Sequence, residues 1–225
     1  MSTVRDLQSS SVALETATAG KFPATQYALA SAYFDTYADE IAQAAKSADG
    51  AALDRAAAIL LEAYAGGGRV FSCGNGGSAA IANHLQCDHI KNVGASTDLA
   101  PRVQSLSANV ELLTAIANDI AYDNIFAFQL KSLSEPGDVL IAVTSSGRSA
   151  NIVRALTWAR DNGLKTIALT GFAGGEARTL ADVAIHIEAA NYGIVEDLHQ
   201  AIMHALAQFI RQSRMTAEAI TSNVF

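Results

Sequence analysis

Five short apolar runs, each bounded by turn residues and each followed by a helical pattern, limit what this chain can fold into: Arg69 to Cys73, Val103 to Leu106, Val139 to Thr144, Thr166 to Thr170 and Val183 to Ile187. Runs this short and this apolar read as strands covered on both faces, and the helical stretch between one and the next reads as a crossover. The expected fold class is α/β: a three-layer αβα sandwich on a five-stranded parallel sheet, preceded by N-terminal helices. A chain of 225 residues, half of them hydrophobic, can bury one substantial core, so one domain with an appendage is expected.

Ahead of the sheet, residues 1–22 are rich in Ser, Thr and Ala without a period and read as a flexible arm. Two alanine-rich helices are expected over Ala24 to Lys46 and Ala51 to Ala65, joined at Asp49-Gly50, so that residues 24–65 pack on the domain and on an oligomer interface. The domain itself is expected over 66–214, with a tail over 215–225. Its last helix, Val195 to Gln212, is read with Leu198, Ile202, Ala205 and Phe209 on its core stripe and His204 off it.

The formal net charge of -7 argues against a nucleic-acid-binding surface, while leaving room for a locally positive pocket that takes a small anion. Cys73 and Cys87 fall in expected core elements without metal-finger spacing, which suits a reducing compartment. With no signal-peptide-length or membrane-spanning apolar run, a cytoplasmic location and no membrane partner are expected.

Ligands of an open parallel sheet collect beyond the carboxyl ends of the strands, where loops feed helix N-termini. Two loops have suitable chemistry. GNGGS, Gly74 to Ser78, permits close backbone approach at Asn75 and Gly76 and puts Ser78 where it can cap the next helix. TSSGRS, Thr144 to Ser149, groups the hydroxyls of Thr144, Ser145, Ser146 and Ser149 around Gly147 just before a helix. Hydroxyls, backbone N–H groups and a helix dipole together make a phosphate cradle. Either loop alone also reads as an ordinary capped turn. Gly74, Gly76 and Ala79 satisfy a loose dinucleotide fingerprint, but the second strand ends Leu106-Ser107-Ala108, without the acidic residue that would hold a ribose, and Asp98 precedes the strand.

Two clusters carry acid–base or metal-binding potential. His84 and Asp88 lie four apart on a helix, with Asp88 toward the apolar stripe of Ile81 and Leu85; a partly buried carboxylate there calls for pairing with the imidazole or a shared metal. His89 points elsewhere. The segment YGIVEDLHQAIMH adds Glu196, His199 and His204. Glu196 and Asp197 also suit the first turn of any helix, and the histidines also suit a solvated face. Glu196 and His204 stand eight residues apart, about 12 Å along a helix, so they share an ion only by reaching toward each other.

CGNGGS, ANDIAYDNIF, TSSGRSANI, LTGFAGG and EDLHQAIMH together resemble the phosphoheptose isomerase family of the sugar isomerase (SIS) fold, over roughly Ala51 to Gln212. The resemblance implies conversion of sedoheptulose 7-phosphate to an aldoheptose 7-phosphate, a homotetramer with sites at subunit boundaries, and one divalent metal per site, zinc in many members. Ser78, Thr144, Ser146 and Ser149 match the family's phosphate-binding hydroxyls, with Ser145 beside them, and Asp119 matches an aspartate beside the sugar, next to Asn118. His84 matches a metal ligand, and His204 matches a histidine serving as ligand and acid/base. Asp88 stands in place of a glutamate that is ligand and base, and Glu196 in place of a glutamine ligand, which makes His84, Asp88, Glu196 and His204 the implied metal set and Asp88 or Glu196 the base. Arg148 stands where asparagine is common. The same fold also serves non-catalytic sugar-phosphate-binding and protein-interaction tetramers, and isomerases of other sugar phosphates; a module that only binds has no use for His84, Asp88 and His204.

Overall fold

The computed structural model describes residues 21–95 and 97–224. Two helices, α1 (Ala30–Ala45) and α2 (Gly50–Ala65), lead into β1 (Arg69–Cys73), α3 (Gly77–Asp88), β2 (Arg102–Ser105), α4 (Val110–Asp119) and α5 (Ala127–Leu133). Then come β3 (Val139–Thr144), α6 (Ala150–Asp161), β4 (Lys165–Thr170), α7 (Gly175–Leu180), β5 (Val183–His186), α8 (Tyr192–Gln212) and a short α9 (Ala217–Ser222). One π-helical turn, His89–Val93, prolongs α3. The five strands form one parallel sheet in the order β2-β1-β3-β4-β5.

Alternate strand residues divide the core. Val70, Val139, Ile141, Val143, Ile167 and Leu169 face a layer drawn from α2, α3 and α8, while Phe71, Cys73, Leu140 and Ala142 face one drawn from α4 to α7. Both faces of the sheet are therefore dry, which is why its strands read as near-continuous apolar runs. The strand order reverses between β1 and β3, and Cys73 pairs with Ala142 in register, so the loops after these two strands open side by side. That reversal is where open α/β sheets leave a crevice for a ligand.

Several local expectations are corrected. Helix α1 begins at Ala30 rather than Ala24, because the preceding segment runs as a loop that brings Tyr27 onto Phe22 and Tyr33. Phe22 is itself buried, though expected at the end of an arm whose first 20 residues lie outside the described residues. Cys73 is buried but Cys87 is exposed, on the outward side of α3. The buried face of α8 comprises Leu198, Ile202, Met203, Leu206 and Ile210, together with His199, while Ala205 and Phe209 face outward. Within the expected tail, Val224 offers its carbonyl to Arg211.

Candidate active site

The GNGGS loop is shaped by contacts that leave little room for side chains. A Cβ on Gly74 would collide with the Ser78 backbone, and Gly76 has φ 56°, which favours glycine. Ser107, at the end of β2, bonds this loop in both directions, accepting from Gly74 N–H at 3.1 Å and donating to Gly74 O at 2.9 Å. The position where a dinucleotide site needs a ribose-binding carboxylate thus holds a serine turned onto the loop backbone. Asn75 exchanges two hydrogen bonds with Asn151 of α6, each 2.9 Å, and accepts a third from the Tyr122 hydroxyl at 2.9 Å. Gly76, not Ser78, is the N-cap of α3; Ser78 is buried in the first turn.

The TSSGRS loop is braced from behind. Gly147 has φ 67°, and a Cβ there would collide with the Gly174 carbonyl, while Ala177 N–H donates to Gly147 O and Gly171 N–H to Ser145 O. The GFAGG segment therefore holds the hydroxyl loop in place. Thr144 Oγ1 accepts from Gly147 N–H at 3.2 Å, and Ser146 Oγ accepts from Arg148 N–H at 3.4 Å. Ser145 is buried with its hydroxyl unpartnered, and Ser149 is the N-cap of α6 without a side-chain cap bond. Arg148 is exposed. Among the described residues none of these four hydroxyls donates a hydrogen bond to the chain.

Asn118 and Asp119 end α4 on the surface, and the Asn118 amide donates to Asp119 Oδ1 at 2.8 Å. Tyr122, three residues on, joins this segment to Asn75. The structure therefore links the α4 end to the glycine loop but gives Asp119 no contact with the histidine cluster.

That cluster forms between α3 and α8. Gln86 accepts from Ser105 N–H at 2.8 Å and Ser105 Oγ donates to Asn83 at 2.6 Å, which fixes α3 on β2. Asp88, almost fully buried, then reaches both imidazoles: Oδ1 lies 3.3 Å from His84 Nε2 and Oδ2 lies 3.4 Å from His204 Nε2. The rings of His84 and His204 meet edge to face with centroids 5.0 Å apart. Gln200, outside the residues expected from the sequence, lies 3.2 Å from His84 Nδ1 and 3.0 Å from His204 Nε2 through its amide. Its signal was its place one turn from both Glu196 and His204 on a single helix face.

His84, Asp88 and His204 present donor atoms that all lie within 4.8 Å of one another. Two imidazoles and a carboxylate suit a divalent transition metal, and donors around a tetrahedral ion with arms near 2.05 Å stand about 3.3 Å apart. The separations from Asp88 to the two imidazoles fit that spacing. Glu196 is not in this group. Its carboxylate lies against Gly77, so close that a Cβ there would overlap it, and burial with Asp197 nearby raises its pKa.

The other two histidines on these helices have no place in the cluster. His89 is buried and bonded through Nδ1 to the Tyr64 hydroxyl at 2.5 Å, and burial lowers its pKa to about 4. His199 is wholly buried; burial lowers its pKa to about 4 against the opposing pull of the Thr170 backbone.

A family model described as SIS domain matches residues 32–171. A phosphoheptose isomerase from Colwellia psychrerythraea is 34% identical over 164 residues, covering 72% of this chain and 83% of that protein. One from Mycobacterium tuberculosis is 37% identical over 155 residues, 68% of this chain and 78% of its own length. The solved structure of a phosphoheptose isomerase from Francisella tularensis aligns with a TM-score of 0.74 at 30% identity, over 81% of this chain and 96% of that one.

Proposed function

The chain belongs to the phosphoheptose isomerase family of SIS-domain proteins, and from that premise we propose that it converts sedoheptulose 7-phosphate to D-glycero-D-manno-heptose 7-phosphate through an enediol. The observation that carries the reading is Asp88 seated between His84 and His204, on the helix that the glycine loop opens. Polar groups aimed at one point beside a phosphate-type cradle suit proton transfer on a phosphorylated sugar.

The roles divide by position. Thr144, Ser145, Ser146, Ser149 and Ser78, with nearby backbone N–H groups, anchor the phosphate; Asn75, Gly76, Asn118 and Asp119 border the sugar. His84, Asp88 and His204 would hold one divalent ion, and zinc, which the family resemblance implies, is compatible with these donors. When bound, that ion polarises the carbonyl and hydroxyl oxygens of the substrate. Glu196, whose raised pKa makes it a better proton acceptor than an ordinary carboxylate, removes the proton from C1 and returns it at C2. His204, through the ring nitrogen not given to the ion, carries the hydroxyl proton from O1 to O2, so that the carbonyl moves from C2 to C1 without net gain or loss of protons. Asp88 is the alternative base if it lies free of the ion.

The setting follows from the same residues. His84 and His204 remain 47% and 40% exposed, which leaves room for a neighbouring subunit to cover the site. Leu29, Phe34, Ile90 and Phe209 are exposed apolar groups that a homotetramer would cover. Among the described residues no helix is long and apolar enough to cross a membrane. The net charge of -7 disfavours a nucleic-acid partner, and a cytoplasmic location is part of the same proposal.

Deuterium exchange at the carbon beside the carbonyl tests the reading. Wild type in heavy water should exchange that proton in sedoheptulose 7-phosphate and release the aldose. Glu196→Gln should lose about a hundredfold or more in exchange while still binding the sugar phosphate. Binding without any exchange by the wild type would overturn the isomerase, and loss of exchange in Asp88→Asn alone, with metal content unchanged, would move the base to Asp88.

A further inference from the structure

Position 196 is the expected fourth metal donor by its place in the family pattern, yet the side chain that touches the cluster belongs to position 200. Asp88 lies 3.3 Å from His84 Nε2 and 3.4 Å from His204 Nε2, and the Gln200 amide lies 3.0 Å from that same His204 nitrogen and 3.2 Å from the other nitrogen of His84, Nδ1, which is the His84 atom that can share an ion with Gln200. Helix geometry favours this arrangement. Gln200 stands one turn from His204, about 6 Å along the axis, whereas Glu196 stands two turns away, about 12 Å. Glu196 is also occupied elsewhere, its carboxylate against Gly77 at the start of α3.

We propose that Gln200 is the fourth protein donor to the metal held by His84, Asp88 and His204, and that Glu196 lies outside the coordination shell. The proposal rests on the metal-site reading above. An amide nitrogen cannot ligate a divalent cation, but half a turn about the terminal bond presents the carbonyl oxygen at the same place. The exchange has two chemical consequences. The donor set keeps a single carboxylate, because the amide is neutral where a second carboxylate would have added charge. Glu196 also keeps its proton affinity, since a carboxylate bound to a cation is held in its ionised form and makes a poor base. One swap along α8 thus separates metal binding from proton abstraction, two tasks that otherwise compete for the same carboxylates.

The test uses the full chain stripped of metal and titrated with zinc against a chromophoric chelator, then with cobalt, whose visible absorption reports the number and kind of its donors. Wild type should take one ion per chain. Gln200→Leu should bind zinc about 10- to 100-fold more weakly and alter the cobalt spectrum, with its circular dichroism unchanged. Gln200→Glu, which still offers an oxygen at that place, should bind at least as tightly as wild type. Glu196→Gln should change affinity by less than about threefold and leave the cobalt spectrum as it is. Wild-type affinity and spectrum in Gln200→Leu would overturn the proposal, as would a loss in Glu196→Gln comparable to that expected of Gln200→Leu. Failure of the wild type to bind either ion would overturn the metal reading together with it, whereas the exchange assay judges the isomerase independently.

Discussion

The carboxylate of Glu196 fills the space that a side chain at Gly77 would need. Gly77 is the first residue of α3, so alanine there is compatible with the helix and even gains up to about 1 kcal/mol in propensity. What must yield is the far end of a flexible glutamate. Gly77→Ala should therefore keep or slightly raise thermal stability while turnover falls by about tenfold or more, because a displacement near 1 Å is costly for a proton-transfer group. Thermal melts run beside turnover check this; unimpaired turnover would remove Glu196 from the chemistry.

Gly147→Ala should behave in the opposite way. Its φ of 67° and the Gly174 carbonyl in its path both oppose a Cβ, and neither is the loose end of a side chain. We expect a loss of about 2 kcal/mol or more in stability, read from the denaturant midpoint, together with loss of phosphosugar binding. Ser149→Ala serves as comparison: it should leave the midpoint nearly unchanged and weaken sugar-phosphate binding by about 1–3 kcal/mol. Equal affinity for the same sugar without its phosphate would refute the cradle.

Asn151 is buried and bonded twice to Asn75. Asn151→Ala should cost about 1–3 kcal/mol and leave Asn75 held only by Tyr122. Turnover should fall further than substrate affinity if the loop supports the reaction rather than binding alone. Crystallography of the variant would show whether Asn75 has moved, and an unmoved Asn75 with normal turnover would make the amide pair merely structural.

His89 and His199 make the fold acid-sensitive. Both have folded pKa values lowered to about 4, from an ordinary value of 6.5. Below 6.5 the unfolded chain takes up protons that the folded chain refuses, so stability is present above that pH and is lost as pH falls toward 4. Between pH 7.5 and 5 each histidine should account for a loss of about 2 kcal/mol. Urea midpoints at fixed protein concentration would measure it, and His199→Gln should flatten the dependence by roughly its share. An unchanged slope in that variant would assign the effect to other groups.

The strands were legible because burial on both faces writes them as apolar runs; Arg69–Cys73 and Val139–Thr144 lie where the pattern puts them. The same alternation, not any motif, made the three-layer architecture readable. Helix faces were harder. α8 has apolar residues around most of its circumference, so one stripe through Ala205 and Phe209 fitted the spacing as well as the buried one through Met203, Leu206 and Ile210. His199 could not be read as buried for the same reason. Asp88 was legible from its neighbours one turn back, because contacts at i and i+4 are local. The Gln200 contacts were only half local: His204 lies on its own helix, but His84 arrives from α3, and nothing in the sequence tells how far apart those two helices settle.

His84 and Gln200 are separated by 116 residues of chain, and the sheet's other four strands come between them. They can meet only after β2 through β5 are in register and α8 has docked as the last long element. Contacts of such sequence separation repay their ordering late. The cluster around Asp88 is accordingly a proofreading mark of the finished fold: a chain released before α8, or one whose sheet has paired out of register, holds both glycine-rich loops and still has no centre. Activity in a refolding mixture would count completed molecules alone, and its appearance should lag behind the recovery of secondary structure.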